Sequence, residues 1–169
     1  YNINEKLGDN HYNCPVVAYY AELLHGNMEN LKDTKLLYPY LSVNNERELR
    51  KTLYRYMSNV DSSLKFREVR KAVKAGLVAQ DAYRAAVRLA GEDAVRYARA
   101  QGKRIMILAG RPYHIDAEIC HGIDSLANSL GFVVVSEDSI CHLSEQPQVR
   151  VLNQWTYHAR LYRAARYVA

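Results

Sequence analysis

The stretch that decides the fold is RIMILAGRPYHIDAEICHGIDSLANSLGFVVVS, residues 104–136. It opens with the continuous apolar run RIMILA, which is flanked by Gly102 and Lys103 on one side and by Gly110 on the other. Such a run is typical of a strand that is buried on both faces of a parallel sheet. A helical pattern follows and ends at Gly131, and the apolar run FVVVS predicts a second strand. The order of strand, helix and strand predicts a β-α-β unit.

The segments on either side of this unit are mostly helical. The stretch CPVVAYYAELLHG has a proline near its start and a glycine at its end, so we predict a helix from about Pro15 to His25. LLYPYLSV is predicted to be extended, because the residue before a proline avoids the helical region. Residues 45–101 carry apolar side chains at helical spacing, and a last helix is predicted over about 149–167. The chain therefore divides into the segments 1–44, 45–101 and 102–169.

Composition limits the class of protein. With 169 residues, 49% of them hydrophobic and 24% charged, the chain is suited to one domain or two small lobes around a core. No apolar run reaches the length of a membrane span, so we expect no membrane partner. The net charge of +5 favours anionic partners. Three widely spaced cysteines without a CxxC pair favour free thiols and a cytoplasmic location over a disulfide scaffold.

The turn after the first predicted strand is the densest stretch of chemistry. AGRPYHIDAEICHG, residues 109–122, has neither the GxGxxG glycines of a dinucleotide site nor the GxxxxGK of a P-loop. The turn still follows the carboxyl end of a parallel strand, where ligands bind in open α/β sheets. Arg111 offers a bidentate cation there, so a phosphate, a carboxylate or a sulfur cluster could be held. Glu137 and His142 follow the second strand and could form a companion wall.

Helical spacing separates the polar residues that follow. If one helix runs from Asp116 to about residue 130, Asp116 is its N-cap and Glu118 is a favourable first-turn acid. Glu118 and His121 then form a Glu-x-x-His pair, but metal sites with this spacing need a second copy that the sequence lacks. We therefore expect no metal at this pair. His114 lies in the loop, where functional groups concentrate. The apolar face of the same helix is predicted to hold Ile119, Ile123, Leu126 and Leu130.

The three cysteines lie in different surroundings. Cys14 falls at or just before the start of the first predicted helix, and a helix N-terminus stabilises a thiolate. That position is equally compatible with a reactive or metal-binding thiol and with a buried structural cysteine. Cys120 and Cys141 are expected to pack as small apolar side chains.

Cations crowd the predicted helices of residues 45–101. Two interpretations are open, namely solvated helix faces or a surface that binds polyanions. We favour solvated faces, because acidic residues are interspersed among the cations. The cations are Arg47, Arg50, Lys51, Arg55, Arg67, Arg70, Lys71 and Lys74. The interspersed acids are Glu46, Glu48, Glu68 and Asp81.

Three stretches resemble a known family. NCPVVAYYAELL (13–24), AGRPYHIDAEICHGIDSLANSLGFVVVSEDSICHL (109–143) and LNQWTYHARLYRAARYV (152–168) resemble segments of the 2-hydroxyacyl-CoA dehydratase-like domain. The form that they resemble occurs in very large bacterial proteins that also carry a BadF/BcrA-type ATPase, the acyl-CoA dehydratase activase module. GRPYHID is the more specific motif. The resemblance covers both ends of the chain and, more loosely, the helical middle.

The resemblance implies a fold and a cofactor. It implies Rossmann-like parallel α/β lobes, with 1–44 as the remnant of a first α/β lobe, 45–101 as a helical segment and 102–169 as a Rossmann-like β-α-β lobe that is incomplete at its C-terminus. In that family, cysteines from the lobes hold an iron–sulfur cluster, and ATP hydrolysis in the activase drives low-potential electrons onto it. Cys14 matches the family's Cys-Pro position and is the implied cluster ligand.

The same resemblance implies partners and a site. The implied partners are an ATPase (activase) module and an acyl-CoA-type substrate. Cys120 and Cys141 fall where the family usually has other residues, and a [4Fe–4S] cluster commonly needs four ligands. A cluster is therefore expected in the full-length parent, with its other ligands outside this chain, and none is expected on these 169 residues alone. The implied ligand-binding or site-forming residues are Arg111, Tyr113, His114 and Asp116.

Together these observations predict a fragment of an activase-linked, dehydratase-like α/β protein. The chain begins with Tyr1 instead of Met, which is expected of a piece of a longer protein. We expect the parent to couple ATP hydrolysis to electron transfer or to reductive chemistry on acyl-CoA-type substrates, and the fragment alone to be inactive. Two alternatives stay open. One is a basic α/β module that binds a phosphorylated ligand or, less expectedly, nucleic acid; the other is a scaffold for the ATPase module.

Overall fold

The computed structural model describes residues 7–9, 14–31 and 33–169. The chain divides into two compact units. The first unit ends at Val78, and the second contains Leu7–Asp9 and Ala79–Ala169. None of the described helices is long and apolar enough to cross a membrane.

The described part of the first unit is built from helices. α1 is Pro15–Asn27, α2 is Glu46–Met57, and α3 is Phe66–Ala100, which begins in the first unit and ends in the second. A proline opens α1, where its missing N–H leaves no intrahelical bond unmade. Asn45 caps α2, because its side chain accepts a hydrogen bond from the Glu48 N–H at 3.2 Å. The helices predicted for this part of the chain are therefore confirmed.

A small apolar core holds α2 against the first turns of α3. Leu49, Val69 and Val73 are buried and pack together, with Leu53 half-buried beside them. These side chains recur at the helical spacing from which the sequence predicted both helices. α1, in contrast, has no buried residue.

A parallel pair of strands organises the second unit. β1, Ile105–Leu108, pairs with β2, Val133–Ser136, so that Ile105 lies opposite Val133 and Leu108 opposite Ser136. This register confirms the predicted β-α-β unit. The sheet of the described residues has these two strands, and the rest of the regular structure is helical. The fold is therefore mixed α/β and mostly helical.

The connection between the strands holds two short helices where the sequence predicted one. α4 is Ala117–Cys120 and α5 is Ile123–Ser129. His121 (φ 50°) and Gly122 (φ 74°) lie between them in the left-handed region, which ends a right-handed helix. The predicted shared face of Glu118 and His121 is therefore wrong, because the helix that would align them ends at Cys120.

The predicted apolar face of this connection is exposed. Each of its four side chains keeps about half or more of its surface in solvent. α5 instead buries Ala127. The exposed fractions are 48% for Ile119, 56% for Ile123, 60% for Leu126 and 67% for Leu130.

The elements after β2 pack on the sheet. α6, Glu137–Ile140, and a 3-10 turn, Cys141–Leu143, follow the strand directly. The last helix, α7, is Thr156–Val168 and begins later than the predicted start near residue 149. α7 contacts α6 and β1. The core cluster of the unit contains Val95, Val135, Ile140, Cys141 and Ala164.

The face of α3 that packs in the second unit is lined by small residues. Tyr83 and Tyr97 are 67% and 51% exposed. Gly91 and Ala98 are buried instead. A Cβ at position 91 would lie 2.7 Å from the carbonyl carbon of Ser139 in α6. Small side chains, which a search for large apolar ones overlooks, define this contact.

Candidate functional site

The turn after β1 is built around Gly110 and His114. The backbone of Pro112–Ile115 forms one 3-10 turn. The Arg111 N–H donates to His114 Nδ1 at 2.8 Å, and the His114 N–H donates to the Arg111 carbonyl at 2.9 Å. A Cβ at position 110 would lie 3.0 Å from His114 Cγ and closer still to Nδ1, so the ring fits beside glycine alone. The turn is therefore fixed by contacts within itself.

The hydrogen bond to Nδ1 sets the tautomer of His114. A ring nitrogen that accepts a hydrogen bond carries no proton, so the neutral ring holds its proton on Nε2. The ring of His114 is exposed and lies against Tyr113, with the two centroids 4.4 Å apart. The turn thus presents an Nε2–H donor to solvent close to Arg111 in the chain.

Asp116 ends the turn and begins α4. Its carboxylate accepts a hydrogen bond from the Glu118 N–H at 2.9 Å. The N-cap predicted from the sequence is confirmed. This carboxylate caps α4, and its negative charge would repel an anion bound beside it.

Two side chains of α7 complete the carboxyl edge of the sheet. The Arg111 guanidinium lies 5.2 Å from the centroid of the Tyr157 ring, and the Arg160 guanidinium lies 4.7 Å from the same centroid. Cations are attracted to the electron-rich face of such a ring. Sequence reasoning missed Tyr157 and Arg160, because their role depends on how α7 packs. Their i,i+3 spacing on a predicted helix was the available signal.

Glu137 is the buried acid of this edge. It follows β2 directly, is 3% exposed, and lies 3.3 Å from an Arg160 guanidinium nitrogen. Burial raises the pKa of the Glu137 carboxyl above its ordinary range, and the charge of Arg160 opposes that rise. Glu137 and Arg160 therefore form a largely internal pair. Arg111 makes no ion pair within the described residues and is the cation of this edge that a ligand can use.

The predicted companion wall forms in part. Glu137 does lie at the carboxyl edge, but His142 is engaged elsewhere. His142 Nε2 lies 2.7 Å from the Glu92 Oε1 of α3, and its buried Nδ1 has no hydrogen-bond partner in the described part of the chain. This pair connects the 3-10 turn after α6 to α3.

The cysteines of the chain are free thiols. Cys120 and Cys141 are 5% and 3% exposed, which confirms that they pack as small apolar side chains. Burial raises the pKa of the Cys141 thiol. Cys14 is partly exposed and is the N-cap residue of α1. Of the three thiols, Cys14 is thus the one that solvent reaches.

The described residues do not by themselves fit an iron–sulfur cluster. In that part of the chain no three His, Cys, Asp or Glu side chains lie where they could hold one metal ion. Cys14 belongs to the first unit, whereas Cys120 and Cys141 belong to the second and are buried. A [4Fe–4S] cluster commonly needs four thiolates. These residues offer one accessible thiol, that of Cys14, toward such a group.

The fold and this edge define a class of protein, a mixed α/β chain with a cationic turn at the carboxyl end of parallel strands. A family model, the CoA enzyme activase uncharacterised domain (DUF2229), matches residues 1–140, which include α1 to α6 and the Arg111 turn. The chain belongs to this family and is activase-related. Comparison of the chain with curated proteins and with solved structures found no match.

Proposed function

We propose that the chain is a ligand-binding part of a 2-hydroxyacyl-CoA dehydratase-like protein, and that its Rossmann-like lobe holds an anionic group of an acyl-CoA-type substrate. Membership of a CoA enzyme activase family supports CoA-linked chemistry. The observation that carries the proposal is the position of Arg111 on Tyr157, at the carboxyl end of a parallel strand. Open α/β sheets bind their ligands at that end.

The turn has two kinds of donor for a phosphate or a carboxylate. The planar guanidinium of Arg111 can donate two parallel hydrogen bonds to neighbouring oxygens of such an anion. His114 adds its Nε2–H, because Nδ1 is occupied by the Arg111 N–H. The ring of Tyr157 holds the guanidinium near one position and so lowers the ordering cost of binding.

Binding of CoA and acetyl-CoA by calorimetry tests the proposal. Arg111→Ala should weaken binding roughly tenfold, because a charge-assisted hydrogen bond contributes about 1.5–3 kcal/mol. The matched control is Arg166→Ala, which removes an exposed arginine of α7 in the same unit and should change the affinity less than about twofold. Absence of CoA binding, or equal losses in the two variants, would contradict the proposal.

The parent protein, in this proposal, couples ATP hydrolysis to low-potential electron transfer through an iron–sulfur cluster. Cys14 supplies one thiolate, and an ATPase module is the partner that energises the electron. The partial exposure of Cys14 at the start of α1 supports that role, as does the family match. The other ligands come from outside the described residues. A stoichiometric iron–sulfur absorbance from these 169 residues alone would contradict this assignment.

A cytoplasmic location belongs to the same proposal. The free state of all three thiols supports a reducing compartment, in which disulfides are rare.

A further inference from the structure

A cationic cleft lies between α2 and the first turns of α3, within the first unit. It encloses about 570 Å³ and is lined by one acid and four cations. The lining residues, referred to below as the α2–α3 cleft, are Glu46, Arg50, Arg70, Lys71 and Lys74.

Three of the four cations have no ion-pair partner among the residues that the structure describes. Glu46 lies 3.6 Å from Arg50 and pairs with it across one helical turn. Arg70, Lys71 and Lys74 make no ion pair within the described residues. The cleft therefore carries a formal charge of +3 after its own carboxylate is counted.

Of the acids interspersed in the sequence, Glu46 is the one that lines this cleft. Glu48 pairs with Lys51 at 3.1 Å, and the Glu68 carboxylate accepts the backbone N–H of Lys65 at 2.8 Å at the start of α3. Asp81 pairs with Arg84 further along α3. The sequence pattern favoured solvated faces because acids and bases alternate along the chain. In three dimensions the acids other than Glu46 are engaged elsewhere.

The arrangement of the cations on α3 opposes helix stability. Arg70 and Lys74 are four residues apart, and Lys71 and Lys74 are three apart, so like charges are direct neighbours on the helix surface. Like charges at these spacings destabilise a helix. Stability of α3 therefore does not account for the cluster, whereas recognition of an anion does.

The helices that carry these cations pack on an apolar core. Leu49 is buried next to Arg50, and Val69 and Val73 are buried next to Arg70 and Lys74. This apolar core sets the separation of the two helices, so that the cations are gathered before any ligand arrives. Preorganised charges bind an anion at a lower cost than mobile ones.

We infer that the α2–α3 cleft binds an anion with adjacent phosphate groups, the di- or triphosphate chemistry of a small molecule. A formal charge of +3 in one small cleft matches neighbouring phosphates better than it matches a single carboxylate. None of the described residues that line the cleft is aromatic, so they offer no stacking platform for the bases of a single-stranded nucleic acid. The inference is independent of the Arg111 turn and goes beyond the function proposed for it.

Calorimetric titration with inorganic tripolyphosphate at low salt tests the inference on the chain as it stands. We expect tripolyphosphate to bind more tightly than orthophosphate, because more of its oxygens meet cations at once. Lys74→Gln and Arg70→Gln should each weaken tripolyphosphate roughly tenfold, since each removes a charge-assisted contact. Far-UV circular dichroism should show unchanged helix content in both variants, because the two side chains are exposed.

The matched control is Arg67→Gln. Arg67 is exposed on the same helix and carries the same charge, but it does not line the cleft. Its variant should bind tripolyphosphate within about twofold of the original chain. Equal losses in all three variants would show a diffuse charge effect and would overturn the inference. So would a lack of binding at low salt, or tighter binding of a single-stranded DNA oligonucleotide that depends equally on Arg67.

Discussion

Gly110 shows how one missing side chain sets the candidate site. A Cβ there would overlap the His114 ring, which accepts the Arg111 N–H. The backbone around Arg111 is therefore held by local contacts, and its guanidinium is held by Tyr157 of α7. Contacts of its backbone and of its side chain therefore both fix the position of the Arg111 guanidinium.

The buried carboxyl of Glu137 gives the edge a pH dependence. Its pKa is raised in the fold, so folding favours its protonated form. The corresponding stabilisation is complete below the unfolded-state pKa and is lost as the pH rises through the raised value. Arg160 reduces the rise without removing it.

Glu137→Gln should therefore change the pH profile of unfolding. We expect the free energy of unfolding of the original chain, relative to that of Glu137→Gln, to be lower at about pH 8 than at about pH 4, because the raised pKa makes ionisation of the folded carboxyl unfavourable. Urea unfolding of both proteins at the two pH values measures the difference, and groups common to both cancel. A difference that stayed constant or grew with pH would contradict the raised pKa.

For single residues, the sequence predicted those features that depend on contacts between near neighbours in the chain. The Asp116 cap follows from a side chain that reaches an N–H two residues away. The turn at Arg111 follows from its place after an apolar run. Tyr157 and Arg160 were not predictable in the same way, because their contacts join residues far apart in the chain.

Among the helices and strands, too, those that depend on local sequence were predicted and those that depend on packing were not. β1 and β2 were predicted because short continuous apolar runs next to glycines are typical of strands in a parallel sheet. The single helix predicted between them failed at Gly122, where a left-handed backbone replaces the next helical turn. A glycine inside a helical pattern permits either outcome, so the choice depends on packing.

The contact of α3 with α6 depends on one glycine of a long helix. Gly91 lies where a Cβ would overlap the Ser139 backbone. Gly76, on the same helix, has no packing neighbour among the described residues within 4 Å of the place where its Cβ would lie, apart from the local backbone of its own helix. Both glycines weaken the intrinsic stability of a helix by a similar amount. Comparing the same substitution at the two positions therefore distinguishes the effect of packing from the effect of helix propensity.

Gly91→Ala should destabilise the chain by about 1–3 kcal/mol, the usual cost of overpacking a close contact. Gly76→Ala should stabilise it by about 0.5–1 kcal/mol, because alanine is the better helix former and meets no neighbour. Thermal or urea unfolding of the two variants provides the measurement. If both substitutions stabilised the chain, the close approach of α3 to α6 would be wrong.

For the whole chain, chemistry is distributed between the two units. The first unit contains Cys14 and the α2–α3 cleft, and the second contains the Arg111 turn. Sequence reasoning singled out Cys14 and the turn as candidates from motifs. It named the cations of the cleft but favoured solvated helix faces, because charge alternation along the chain hides which acids already pair with other cations in the fold.

The thiols give a test that covers both units at once. Cys14 is partly exposed, whereas Cys120 and Cys141 are buried in the second unit, and burial raises the pKa of Cys141. A thiol reagent such as Ellman's reagent reacts with the thiolate and needs access to it. We therefore expect one thiol to react rapidly in the folded chain and the other two to react after denaturation. Cys14→Ser should abolish the rapid phase and leave the slow one. Rapid reaction of two or three thiols in the folded chain would show that the packing around Cys120 or Cys141 is wrong.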